Sequence, residues 1–135
     1  MDKKIKEQRS VWMKKNLGKR QRAAIEKKMT YFMTKSIKEI TGKGPEVIKS
    51  KIDKNKIYIH LEGFLTPLEQ SILNQDFDLY HDLIKKLRES FVNTNKQFFL
   101  EGIGEIIGHP VELTHLNNDL KNDKGIITFD IQQNK

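Results

Sequence analysis

The side chains with chemical potential in this chain are four histidines, one glycine-lysine-glycine run and a basic N-terminal stretch. His60, His81, His109 and His115 are the only imidazoles. None stands in a His-x-Glu-x-x-His or comparable ligand spacing, so no metal motif is present in the sequence. His60 and His115 fall in segments that read as strands, and they are the pair expected to meet across a sheet and to line a pocket. His109, directly before Pro110, reads as loop punctuation. Serine, histidine and aspartate occur without a nucleophile elbow, so no catalytic residues are expected and the protein reads as a non-enzyme with no cofactor.

Gly42-Lys43-Gly44-Pro45 combines a glycine pair with a lysine, which invites comparison with a phosphate cradle. The order is the reverse of what a cradle needs. Phosphate loops follow a strand and open a helix, so that N-terminal N–H groups point at the anion; this run closes a helix and opens a strand. A C-cap is the simpler reading, with Gly42 taking the left-handed conformation and Pro45 preventing continuation.

Residues 1–22 carry nine basic groups against Asp2 and Glu7, which accounts for the whole formal net charge of +7. The remaining 16 basic and 16 acidic residues balance. Any electrostatic partner is therefore expected at this arm, with Lys14, Lys15, Lys19, Arg20 and Arg22 as candidate contacts to an anionic surface. Ile5, Val11, Trp12, Met13 and Leu17 are interleaved with these charges, a pattern that suits a nucleic-acid backbone, an anionic membrane or an acidic groove. The competing reading is a solvated terminus.

The framework around these residues reads as one domain, residues 23–135, behind the basic extension 1–22. A chain of 135 residues buries roughly two-thirds of its surface on folding, enough for one core. With no cysteine, disulfides and thiolate sites are excluded and a cytoplasmic location is expected. No apolar run reaches the roughly 18 to 20 residues of a spanning helix, and the basic N-terminus lacks the apolar stretch of a signal peptide.

Ile25, Met29, Phe32, Met33, Ile37 and Ile40 recur at helical spacing and predict a helix from Arg22 to Thr41. Segments 46–52 and 56–62 predict a hairpin around Asp53-Lys54-Asn55, with Ile57, Ile59 and Leu61 alternating with Tyr58, His60 and Glu62. Thr66, Pro67 and Glu69 have the spacing of a capping box and predict a short helix from Pro67 to about Asn74. A break near Gln75-Asp76 leads to a longer helix running to about Ile107, with Tyr80, Ile84, Leu87, Phe91, Phe98 and Ile106 near one stripe. Within it, Gly102 and Gly104 imply a weak end or a close packing partner. Strands 111–116 and 125–131 follow, joined by a polar loop.

The order α-β-β-α-α-β-β repeats one layout twice, a helix ending in glycine, a proline and a hairpin. It predicts an α+β fold of two layers: a four-stranded, largely antiparallel sheet with two long helices on one face.

From Ala23 to Ile131 the sequence resembles the MpsC family. The resemblance rests on Gly42, Gly44 and Pro45, on the alternating strand that runs into "LEGFLTPLEQSIL", and on "GIITFDI"; Gly63, Leu65, Thr66, Pro67 and Glu69 are its most specific part. It implies an accessory protein, expected as a homodimer, beside a membrane system for ion or inorganic-carbon transport, peripheral at the inner face of the membrane. No catalytic residues carry over. The mixed sheet face or the helix end at Gly102 and Gly104 is the expected partner surface. The alternatives are a nucleic-acid-binding regulator using the arm and a small-anion sensor.

Overall fold

A computed structural model describes residues 18–132. The elements are α1 (Lys19–Thr41), β1 (Val47–Asp53), β2 (Lys56–Glu62), α2 (Pro67–Gln75), α3 (Phe77–Thr94), α4 (Lys96–Ile107), β3 (Val111–Asp119) and β4 (Lys124–Ile131). The four strands form one antiparallel sheet in the order β1-β2-β4-β3. The α+β class and the two-hairpin plan thus hold, with one helix more than the periodicity predicted.

That extra element arises at Asn95. Its backbone turns to φ −104° and ψ 14°, and its side-chain amide donates to the Phe91 carbonyl at 2.9 Å, an asparagine group bonding locally to the backbone. The break shifts the phase of the apolar stripe. Beyond it, Phe99, Ile103 and Ile107 face inward, while Phe98, expected on the stripe, is exposed. Before it, Ile84 and Arg88 are the buried positions of α3 and Leu87 is exposed. β3 also runs further than expected, to Asp119, because its ladder with β4 continues beyond a register shift between Leu113 and His115.

One sheet face holds the core. Ile57, Ile59 and Leu61 of β2 lie beside Ile127, Phe129 and Ile131 of β4, under Met29, Met33 and Ile37 of α1 and the inward side chains of α4. The two helices that cover the sheet are α1 and α4, whereas α2 and α3 pack chiefly on each other. Gly102 explains the α1–α4 contact: a Cβ there would lie 2.0 Å from the Phe32 ring. The helix end at Gly102 is therefore already occupied by this chain's own Phe32. At the edge, Glu26 of α1 accepts the Ile52 N–H at 2.7 Å, and Thr30 Oγ1 donates to Ser50 Oγ at 2.8 Å. An edge strand presents unpaired backbone groups, and Glu26 takes one of them.

The two halves are related about the Ile59–Ile127 pair at the sheet centre. Lys56 faces Asp130 at one end of the β2–β4 ladder and Lys124 faces Glu62 at the other, forming ion pairs of 2.9 and 3.3 Å. The Ile131 N–H donates to the Asn55 carbonyl and the Gly63 N–H to the Asp123 carbonyl, two equivalent bonds from opposite hairpins. Both sheet-covering helices end on a left-handed glycine, Gly42 and Gly108. The repeated layout is therefore a repeated geometry. The hairpin turns differ: β1 and β2 are joined by two residues, β3 and β4 by four. The longer turn brings Leu120 into the core and Asp123 against the chain leaving β2.

Candidate functional site

The segment from Gly63 to Gln70 gathers side chains from three other parts of the chain. Gly63 has φ 66°, a left-handed turn that directs the chain off β2 and that glycine adopts at no steric cost. Asp123 Oδ1 then accepts the N–H groups of Phe64 at 2.9 Å and Leu65 at 3.0 Å. Lys43 Nζ donates to the Gly63 carbonyl at 2.9 Å and the Leu65 carbonyl at 3.0 Å. The lysine of the Gly-Lys-Gly-Pro run is thus committed to protein carbonyls, and Gly42, at φ 83°, is the C-cap its sequence predicted.

Thr66 opens α2 as the spacing predicted. Its Oγ1 accepts the Glu69 N–H at 3.2 Å, while Glu69 Oε1 accepts the Thr66 N–H at 2.9 Å and the Thr66 hydroxyl at 2.9 Å. Pro67 occupies the first turn, where its missing N–H leaves nothing unpaired.

Glu69 has a second partner that the capping box does not require. Arg88 of α3 donates from Nε to Glu69 Oε2 at 2.8 Å, from Nη2 to Glu69 Oε1, and from Nη2 to the Phe64 carbonyl at 2.9 Å. The guanidinium carbon lies 5.1 Å from the Phe64 ring centroid and 5.9 Å from that of Phe91. Glu69 is 4% exposed and Arg88 6%, so this is a buried ion pair with its hydrogen-bonding groups engaged. Burial pushes the Glu69 carboxyl up, but the Arg88 hydrogen bonds, the Thr66 N–H, the Arg88 charge and the Thr66 hydroxyl together hold it below the usual carboxylate range. Glu69 is therefore an ionised structural carboxylate, with a proton affinity displaced away from that of a general base at neutral pH.

Arg88 escaped the sequence reading. Its signal was a charged residue four positions after Ile84 on the inward stripe, where a partner is needed. Beside the pair lies a small apolar cleft of about 40 Å³, bordered by Ile37, Phe64, Arg88, Phe91, Phe99 and Ile127 among others. In the turn before Asp123, Asp119 accepts from the Asn122 side chain at 2.7 Å and from its N–H at 3.3 Å. These bonds, the side-chain one foremost, hold the Asp119 carboxyl below its ordinary value.

The two strand histidines do not meet. His60 is opposite Ile126 and His115 opposite Thr128, on either side of β4 and out of step along it. They share the sheet face that carries no helix, and the expected His60–His115 pocket is not formed because a whole strand separates them. Among the described residues no group of three or more His, Asp or Glu is placed to hold a metal ion. Of the arm residues, Lys14 and Lys15 lie outside the described residues. Lys19, Arg20 and Arg22 are exposed in the first turns of α1. Lys19 and Arg22 border a broad surface hollow that also includes Lys49, Lys51 and Lys124.

Comparison with protein families matches residues 21–133 to the family described as Na+-translocating membrane potential-generating system (MpsC). The chain belongs to the MpsC family. Every motif position that pointed there, from Gly42 to Glu69, falls inside the match, and in this MpsC protein Gly63, Leu65, Thr66, Pro67 and Glu69 lie in the Gly63–Gln70 hub, which Lys43 joins from the glycine run. Comparison with curated proteins and with solved structures gave no match. Among the described residues no helix of the MpsC chain is long and apolar enough to cross a membrane.

Proposed function

We propose that the protein is a non-enzymatic accessory or regulatory component that acts beside a membrane ion or inorganic-carbon transport system, at the inner face of the membrane and as a homodimer. The observation that carries this reading is the family match over residues 21–133, whose description names a membrane system. The absence of a spanning helix among the described residues agrees with a contribution made from beside the bilayer, since a helical path for ions needs helices that cross it. The polar centre supports a non-catalytic role: Glu69, Arg88, Lys43 and Asp123 spend their hydrogen bonds on neighbouring backbone and on each other. Recovery of a membrane transport subunit with tagged protein at native expression, from gently solubilised membranes, is the expected result. Recovery of no membrane protein would count decisively against it.

A second reading has its own observation. The hollow that brings Lys19 and Arg22 next to Lys49, Lys51 and Lys124 also includes Glu26, Glu62 and Asp119, and its basic excess supports a nucleic-acid-binding regulator that uses the arm. It predicts duplex DNA binding whose log K falls by about 0.9 per log unit of salt for each phosphate contacted. Salt-insensitive binding, or none, would remove this reading.

A further inference from the structure

The helix α3 packs Phe77 and Tyr80 part-buried against the core but fully buries little. Of its 18 residues only Ile84 and Arg88 are buried, and one of these is a charged group. A helix gains most of its stability by packing an amphipathic face, yet α3 leaves its leucines outside. Leu79, Leu83 and Leu87 recur every fourth residue and are 65%, 58% and 41% exposed. Successive fourth positions fall close together on a helix surface, so these three form one stripe.

We infer that this stripe is the contact between two copies of the chain, paired antiparallel through α3 about a two-fold axis at Leu83. The flanking charges select both the occupant and the direction. Asp82 lies on one flank of the stripe and Lys86 follows one turn later on the same flank. In an antiparallel pair about Leu83, equal flanks meet: Asp82 stands next to the partner's Lys86 and Lys86 next to the partner's Asp82. Leu79 then packs on the partner's Leu87, and Leu83 on its own copy. Parallel pairing brings opposite flanks together, so Asp82 and Lys86 would face the Tyr80 and Ile84 side of the partner helix and form neither ion pair. An anionic bilayer fits less well, because the exposed charges of α3, Asp78 and Asp82 against Lys85 and Lys86, balance, whereas membrane-surface helices carry a basic polar face. The inference gives the homodimer of the proposed function its surface, and stands independently of any membrane partner.

Sedimentation velocity of the full chain over a concentration series tests it, with circular dichroism and thermal melting as folding controls. The expected result is a reversible dimer whose Kd rises by about tenfold or more in Leu83→Glu, equivalent to about 1.4 kcal/mol or more. Asp82→Lys and Lys86→Asp should each weaken it several-fold, and the double variant should return the Kd to within about twofold of the wild type, the mark of a direct pair. A chain that stays monomeric throughout, or a dimer indifferent to Leu83→Glu, would overturn the inference. Failure of the double reversal to restore affinity would overturn the antiparallel pairing. Membrane recovery with the Leu83→Glu protein separates the two proposals: if it persists in a monomer, the accessory reading survives without this dimer.

Discussion

Arg88 of α3 and Glu69 of α2 form a buried, two-point ion pair, with Arg88 Nε 2.8 Å from Glu69 Oε2 and Nη2 shared between Glu69 Oε1 and the Phe64 carbonyl. The pair joins a helix start to a helix that otherwise buries little. Glu69 also closes the capping box of Thr66, so one carboxylate serves both local and tertiary structure. Removing one partner strands the other in a poorly hydrated place. Arg88→Met is therefore expected to cost about 3 to 5 kcal/mol, and adding Glu69→Gln, which removes the unpaired charge and keeps an acceptor for the Thr66 N–H, should recover part of that loss. Urea unfolding of the three variants measures the coupling; additive costs would mean that the pair is not coupled.

Acid should act through the same carboxylate. Its folded pKa lies below the ordinary glutamate value, so the stabilisation is present above the unfolded-state pKa and is lost as pH falls through the depressed folded-state value. The wild type is expected to lose stability in that acid window, and Glu69→Gln to show a flatter acid limb because position 69 no longer takes up a proton. Unfolding free energies at a series of pH values, from neutral into the acid range, would show parallel curves if Glu69 contributed nothing.

Thr66→Ala removes the oxygen that accepts the Glu69 N–H and should destabilise by about 1 kcal/mol, whereas Thr66→Ser should remain close to the wild type. Thermal melting of both distinguishes the cap from a general effect of the site. An unchanged melting temperature for Thr66→Ala would refute the capping role.

Gly102→Ala tests the α1–α4 contact. A methyl group there would meet the Phe32 ring at 2.0 Å, a cost of about 1 to 3 kcal/mol from overpacking set against a gain in helix propensity of up to about 1 kcal/mol. Net destabilisation is expected, relieved by Phe32→Leu in the same chain. A more stable Gly102→Ala protein would show that propensity outweighs the close approach.

Asp123 has φ 52° and supplies one oxygen to two backbone N–H groups. Asp123→Asn preserves an acceptor and a residue type that tolerates the left-handed region, so it should cost less than Asp123→Ala, which loses both. Chemical denaturation of the two variants should rank them in that order; equal cost would mean that the Asp123 oxygen is not what orders residues 63 to 65.

What the sequence determined by itself is the local structure whose partners lie within about one turn or one hairpin. Thr66 and Glu69 satisfy each other's backbone across three residues, Gly42 and Gly108 end helices through their own conformational freedom, and the alternation of Ile57, Ile59 and Leu61 assigns a strand face. The MpsC resemblance was legible for the same reason, because its most specific positions form a contiguous motif. Tertiary structure alone decided which segments that motif holds together. Arg88 reaches Glu69 across 19 residues and Asp123 reaches Phe64 across 59, distances that depend on how α3 and the second hairpin dock and not on any local preference. It also decided which of two adjacent stripes on α3 faces inward, placing Ile84 and Arg88 inside and Leu79, Leu83 and Leu87 outside. Periodicity shows that a helix has an apolar face, but which neighbouring side chains become buried depends on the surface it packs against.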